Sequence, residues 1–113
     1  MTFQHVTIRV RDMEKSIRFY EEVVGLSVTR RLPGGPVFLA AEEGGCSVEL
    51  IAAEEASAYA GGGISLGFHT GDVEARRAAL AEQGLDPSPI TSPNPHVKFF
   101  FVRDPDGVQI QFI

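Results

Sequence analysis

The chain has 113 residues, 43% of them hydrophobic and 22% charged, which is the content of one ordinary globular domain. A formal charge of −5 argues against a nucleic-acid partner, and the single cysteine, Cys46, excludes an intramolecular disulfide and a zinc–thiolate cluster. There is no basic-then-apolar leader and no apolar run of bilayer length, so a cytoplasmic address without a membrane partner is expected.

Residues 3–10 alternate as a strand does, with Phe3, His5, Thr7 and Arg9 on one face and Gln4, Val6, Ile8 and Val10 on the other. Val6, Ile8 and Val10 are the face expected to pack on a helix, which turns His5, Thr7 and Arg9 to the opposite side. Asp12 is the expected N-cap of a helix over 13–24 and Gly25 its expected stop, with Met13, Ile17, Tyr20 and Val24 as the apolar stripe. Strands follow over 26–32, 37–42 and 46–52, separated by Pro33-Gly34-Gly35 and by Gly44-Gly45. In the last of them Val48 and Leu50 share one face, and Ser47, Glu49 and Ile51 the other. Residues 53–63 read as a connector, and their three consecutive glycines predict a flexible tether across which two halves could exchange between subunits.

The plan then repeats. A strand over 64–70 leads to a helix opened by Asp72 and stopped by Gly84, followed by a short Pro-rich strand near Ile90 and a longer one over 96–103. Asp104-Pro105-Asp106-Gly107 is a strong turn signal before a final strand over 108–113. The two capping Asp residues are 60 apart and the two stopping glycines 59 apart. A duplicated β-α-β-β-β unit of this kind can place equivalent positions of its halves on one cavity. Aligning the halves pairs His5 with Ser65. Counting four residues on from Gly45 and from Gly107 pairs Glu49 with Gln111.

These residues carry a resemblance. His5 within His-Val-Thr-Ile-Arg-Val-Arg-Asp12, Ser16-Ile-Arg-Phe-Tyr20 running into Val24-Gly-Leu26, Val48-Glu-Leu50, and Asp104-Pro-Asp-Gly107 leading to Gln111 together resemble the vicinal oxygen chelate superfamily of glyoxalases, bleomycin-resistance proteins and extradiol dioxygenases. The resemblance implies an α+β fold in which two paired β-α-β-β-β modules form a U-shaped mixed sheet around a cavity, in a protein that is usually dimeric. On that reading residues 1–113 are one domain, with modules over 1–52 and 64–113 joined by the 53–63 linker. The family's metal positions fall on His5, Glu49, Ser65 and Gln111. Glyoxalase-like enzymes usually carry His at the third of these and Glu at the fourth, so this sequence departs at both.

One imidazole, one carboxylate and a neutral amide are a weak donor set for zinc or iron. His69 does not replace the missing imidazole, because it lies four residues beyond Ser65, roughly 13 Å at strand rise. The expected function is therefore a metal-independent, homodimeric binding protein for a small, antibiotic-like molecule, with no cofactor. Its expected ligand-binding residues are His5, Thr7, Arg9, Glu49, Ser65, His69 and Gln111, with Phe38, Phe99 and Phe101 as candidate aromatic surface. The alternative is a metal-dependent lyase, isomerase or dioxygenase of glyoxalase type, holding a divalent metal on His5, Glu49 and Gln111 with Glu49 as catalytic base. Arg30-Arg31 and Arg76-Arg77 read as solvated charges, and Cys46 as an inert strand residue.

Overall fold

Branched apolar residues at every second position make His5–Val10 the first strand, β1, with Ile8 and Val10 turned into the core. The computed structural model describes residues 1–54 and 57–113, so residues 55 and 56 of the expected linker lie outside the described residues. After β1 come α1 (Met13–Arg18), continued by a π-helical segment over Phe19–Val24, then β2 (Ser27–Arg31), β3 (Val37–Ala40) and β4 (Ser47–Ala52). The second series is β5 (Ser65–Phe68), α2 (Val73–Glu82), β6 (Thr91–Asn94), β7 (Val97–Arg103) and β8 (Gln109–Phe112). The fold is α+β, and the chain divides into two compact units, Met1–Ala60 and Gly61–Ile113.

Each unit contains one four-stranded mixed sheet, ordered β1-β4-β3-β2 in the first and β5-β8-β7-β6 in the second. In both, the strand before the helix runs parallel to the unit's last strand and the other pairings are antiparallel. The registers match as well. His5 faces Ser47 and Thr7 faces Glu49, while Ser65 faces Gln109 and Gly67 faces Gln111. The pairing of His5 with Ser65 and of Glu49 with Gln111 thus has the same meaning in both sheets.

The helix caps form as their residue types dictate. Asp12 accepts a hydrogen bond from the Lys15 amide at 3.1 Å, and Asp72 from the Ala75 amide at 2.9 Å. Gly25, at φ 90°, closes the first helix in the left-handed region, where a side chain is strained. The interior of that helix differs from the simple stripe expected for it. Phe19, Tyr20 and Val23 are buried, whereas Met13 and Val24 are only half-buried. The π-helical segment is the reason: its i→i+5 bonding, seen in the Gly25 amide donating to the Tyr20 carbonyl, rotates later side chains away from a 3.6-residue period.

Burial is concentrated on the helix-facing sides of the sheets. Val10, Tyr20, Leu39 and Leu50 are fully buried in the first unit, and Phe100 and Ile110 in the second, where Phe100 stacks on Phe112 at 5.3 Å. Each such side chain contributes roughly 1.5–3 kcal/mol from removal of apolar area from water. The opposite sides of both sheets therefore carry the polar residues. The hairpin before β8 is fixed by buried Asp104, which accepts from the amides of Asp106 and Val108, both at 2.9 Å, with Gly107 at φ 91°. Among the described residues, no helix is long and apolar enough to cross a membrane.

Candidate functional site

In the first unit, β1 and β4 lie side by side and bring His5, Thr7 and Glu49 together on the face turned away from α1. The Thr7 hydroxyl donates a hydrogen bond to Glu49 Oε1. His5 Nε2 stands 3.6 Å from the same oxygen, an ion-pair distance when the imidazole is protonated. The Glu49 side chain is 13% exposed and that of His5 39%. A carboxylate so far withdrawn from water needs a compensating donor, and Thr7 is the one in hydrogen-bonding reach. The His5 ring also meets Phe38 of β3 edge-on, with centroids 5.8 Å apart. Arg9, two residues beyond Thr7 on the same strand face, is exposed.

Arg30 is on this face as well, and simple strand alternation does not put it there. Val28 pairs with Leu39, but the next partner of β3, Phe38, pairs with Arg30, because Thr29 is an extra residue in a β-bulge. The bulge is closed by the Thr29 hydroxyl, which donates to the Phe38 carbonyl at 3.4 Å. Arg30 then reaches over Phe38, its guanidinium carbon 6.0 Å from the ring centroid. Arg31 pairs with core residue Val37 instead and approaches Glu14 of α1 at 3.9 Å. No glycine or proline marks the bulge, so the sequence carries no signal for it.

In the second unit the same positions hold a different chemistry. Gly67 stands where Thr7 does and Gln111 where Glu49 does. The Gln111 side chain lies over the bare glycine so closely that a Cβ on Gly67 would meet its Oε1 at 3.1 Å. Ser65 is exposed and faces Gln109 across the strand pair. Phe99 and Phe101 meet edge-on at 5.7 Å on this polar side, while Phe100 points into the core. An open groove of about 480 Å³ adjoins them, bounded by Leu85, Pro87, Pro89, Phe101, Arg103 and Gln109. Arg77 fixes its outer wall by donating to the carbonyls of Ser88 at 2.7 Å and Pro87 at 3.2 Å.

His69 is placed apart from these side chains. It follows the end of β5 and borders a second groove of about 420 Å³ with Glu74, His96, Lys98 and Ile113. There Lys98 donates to Glu74 at 2.6 Å, which holds the Glu74 carboxyl below its ordinary value and the Lys98 ammonium above its own.

These geometries can be set beside known proteins. The sequence pattern of the Glyoxalase/Bleomycin resistance protein/Dioxygenase superfamily matches residues 2–112. The chain belongs to that superfamily. Lactoylglutathione lyase of Haemophilus influenzae is 29% identical to it, over 100% of this chain and 92% of that protein. Among solved structures, the trypanothione-dependent glyoxalase I of Leishmania major is 26% identical with a TM-score of 0.79, covering 100% of this chain and 86% of that one. TnmS3, an antibiotic binding protein from Streptomyces sp. CB03234, is 27% identical with a TM-score of 0.80, covering 99% of this chain and 93% of that one.

A superfamily of metal-dependent and metal-free proteins poses the question of fit. The four positions here offer an imidazole, a carboxylate, a hydroxyl and an amide. Only the imidazole and the carboxylate are good ligands for zinc or iron, and Thr7 and His5 both address the same carboxylate oxygen. Among the described residues, no three His, Cys, Asp or Glu side chains form a group that could hold a metal ion. One imidazole and one carboxylate are an incomplete donor set for zinc or iron.

Proposed function

We propose that this protein binds a small, antibiotic-like organic molecule without a metal, acting as a homodimer in the cytoplasm. The observation that carries the reading is the state of Glu49. A carboxylate engaged by Thr7 and approached by His5 is a fixed hydrogen-bonding group on its sheet face, and the matching position of the second unit carries the neutral Gln111 over Gly67. The ligand-binding residues in this reading are His5, Thr7, Arg9 and Glu49 of module 1–52 and Ser65, His69 and Gln111 of module 64–113. Phe38, Phe99 and Phe101 supply aromatic surface. A few polar groups among aromatic walls is the usual make-up of a small-molecule site. Likeness to an antibiotic binding protein over nearly the whole chain supports the same class of ligand.

A second reading, an enzyme of lyase or isomerase type with Glu49 as base, is favoured by the likeness to lactoylglutathione lyase. Two measurements separate the readings. Thermal unfolding against a panel of natural-product antibiotics is expected to show stabilisation by at least one, since a ligand at about 100 times its Kd adds roughly 2.7 kcal/mol. Elemental analysis of protein purified without added metal is expected to show no stoichiometric metal. Stoichiometric zinc, nickel, manganese or iron that disappears in His5→Ala would defeat the first reading, as would turnover of a small aldehyde adduct with no antibiotic bound.

A further inference from the structure

We infer that Arg30 and Phe38 form an anion-reading subsite, so that the molecule this protein binds carries a carboxylate or similar acidic group on a planar ring. The inference deepens the reading of a metal-free small-molecule binder and rests on it. Three observations meet at this place. The bulge at Thr29 moves Arg30 onto the face that bears His5 and Glu49; in regular pairing Thr29 would oppose Phe38 and Arg30 would oppose Val37 on the helix-packed side. Arg30 has no carboxylate partner among the described residues, whereas its neighbour Arg31 has Glu14. Its guanidinium carbon lies 6.0 Å from the centroid of the Phe38 ring, which is itself only half-buried.

The register shows how such a ligand would lie. Arg30, Phe38, Glu49 and Thr7 form one row across β2, β3, β4 and β1. Neighbouring strands are about 4.8 Å apart, so Arg30 and Glu49 start from backbones roughly 10 Å apart. That separation suits a planar molecule whose acidic end meets the Arg30 fork and whose far, hydrogen-bond-donating end meets Glu49. Reversing the molecule would set an anion against Glu49, so the row reads orientation as well as charge. A guanidinium presents paired donors in one plane, which matches a carboxylate. With a net charge of −5 the whole chain repels anions. Selection for an acidic ligand must therefore come from cations local to this face, Arg30 over Phe38 and the exposed Arg9 of β1, of which Arg30 shares the row of Glu49, and binding should weaken as salt is raised.

The test compares naphthoate with its neutral isostere naphthamide by calorimetric titration, with the Arg30 Nε–H resonance followed by NMR. The expected result is naphthoate binding at least about tenfold more tightly than naphthamide, with the Arg30 resonance shifted by naphthoate. Arg30→Gln, an exposed substitution, should abolish that preference, bringing the affinity for naphthoate down to about that for naphthamide. Phe38→Leu should weaken both probes. Equal affinities in the wild-type protein, an unchanged preference in Arg30→Gln, or no binding of naphthoate would each overturn the inference. The antibiotic panel answers separately for the binding reading: stabilisation by neutral compounds alone would retain that reading and reject the anion subsite.

Discussion

Thr7, more than His5, holds the Glu49 carboxylate in place, and a double-mutant cycle can measure this. Thr7→Val keeps the shape of the side chain and removes the hydroxyl donor. Glu49→Met keeps the length and removes the acceptor. A hydrogen bond to a charged group is worth about 1.5–3 kcal/mol. Glu49 is 13% exposed, so its side of the bond is little screened, but Thr7 is open to water that can partly replace the hydroxyl. The lower end of the range is therefore expected, a coupling of about 1.5 kcal/mol. The His5 contact differs on both counts. At 3.6 Å it lies beyond hydrogen-bonding distance, and the imidazole side chain is 39% exposed. Its coupling to Glu49 in a His5→Ala cycle should be about 0.5 kcal/mol or less. Urea unfolding of the single and double variants supplies the free energies, and Thr7→Val alone should lower Tm by about 5 °C for a chain of this size. A Thr7–Glu49 coupling within about 0.3 kcal/mol of zero, or one smaller than the His5–Glu49 coupling, would refute the reasoning.

Three further outcomes are expected. Phe100→Ala, which empties a fully buried position stacked on Phe112, should cost about 3–5 kcal/mol, read as a lower urea midpoint with little change in slope. Gly67→Ala should shift the side-chain amide resonances of Gln111, because the new methyl meets its Oε1 at 3.1 Å, while the backbone φ there demands no glycine. The Glu74–Lys98 pair sets a pH window. Its carboxyl is held below the ordinary value, so its contribution is present at neutral pH and lost as pH falls through that lowered value; the Lys98 contribution is lost as pH rises through its raised value. Thermal scans of Glu74→Gln against wild type should show a small difference at neutral pH that closes at both extremes, because a pair open to water is strongly screened.

Much of this protein was legible without coordinates. Two capping aspartates, two stopping glycines and the period-two runs gave the duplicated β-α-β-β-β plan, because each depends on residues close in sequence whose side chains satisfy or strain the local backbone. The pairing of His5 with Ser65 and of Glu49 with Gln111 followed from counting, and the strand registers keep that count. The sequence also placed Glu49 among the ligand-binding candidates, on the same side as His5 and Thr7. Tertiary structure decided that its hydrogen-bond partner is Thr7, which comes beside it only when β1 and β4 pair in parallel across 42 residues of chain. It decided too that Val23 replaces Val24 in the first helix's buried face and that Arg30, rather than Arg31, shares the sheet face of Phe38 and Glu49. Both outcomes turn on a single residue of backbone slack, a π-helical hydrogen bond in one place and a bulge in the other. Side-chain pattern is blind to such slack, because it is the packing of neighbouring elements that makes room for it.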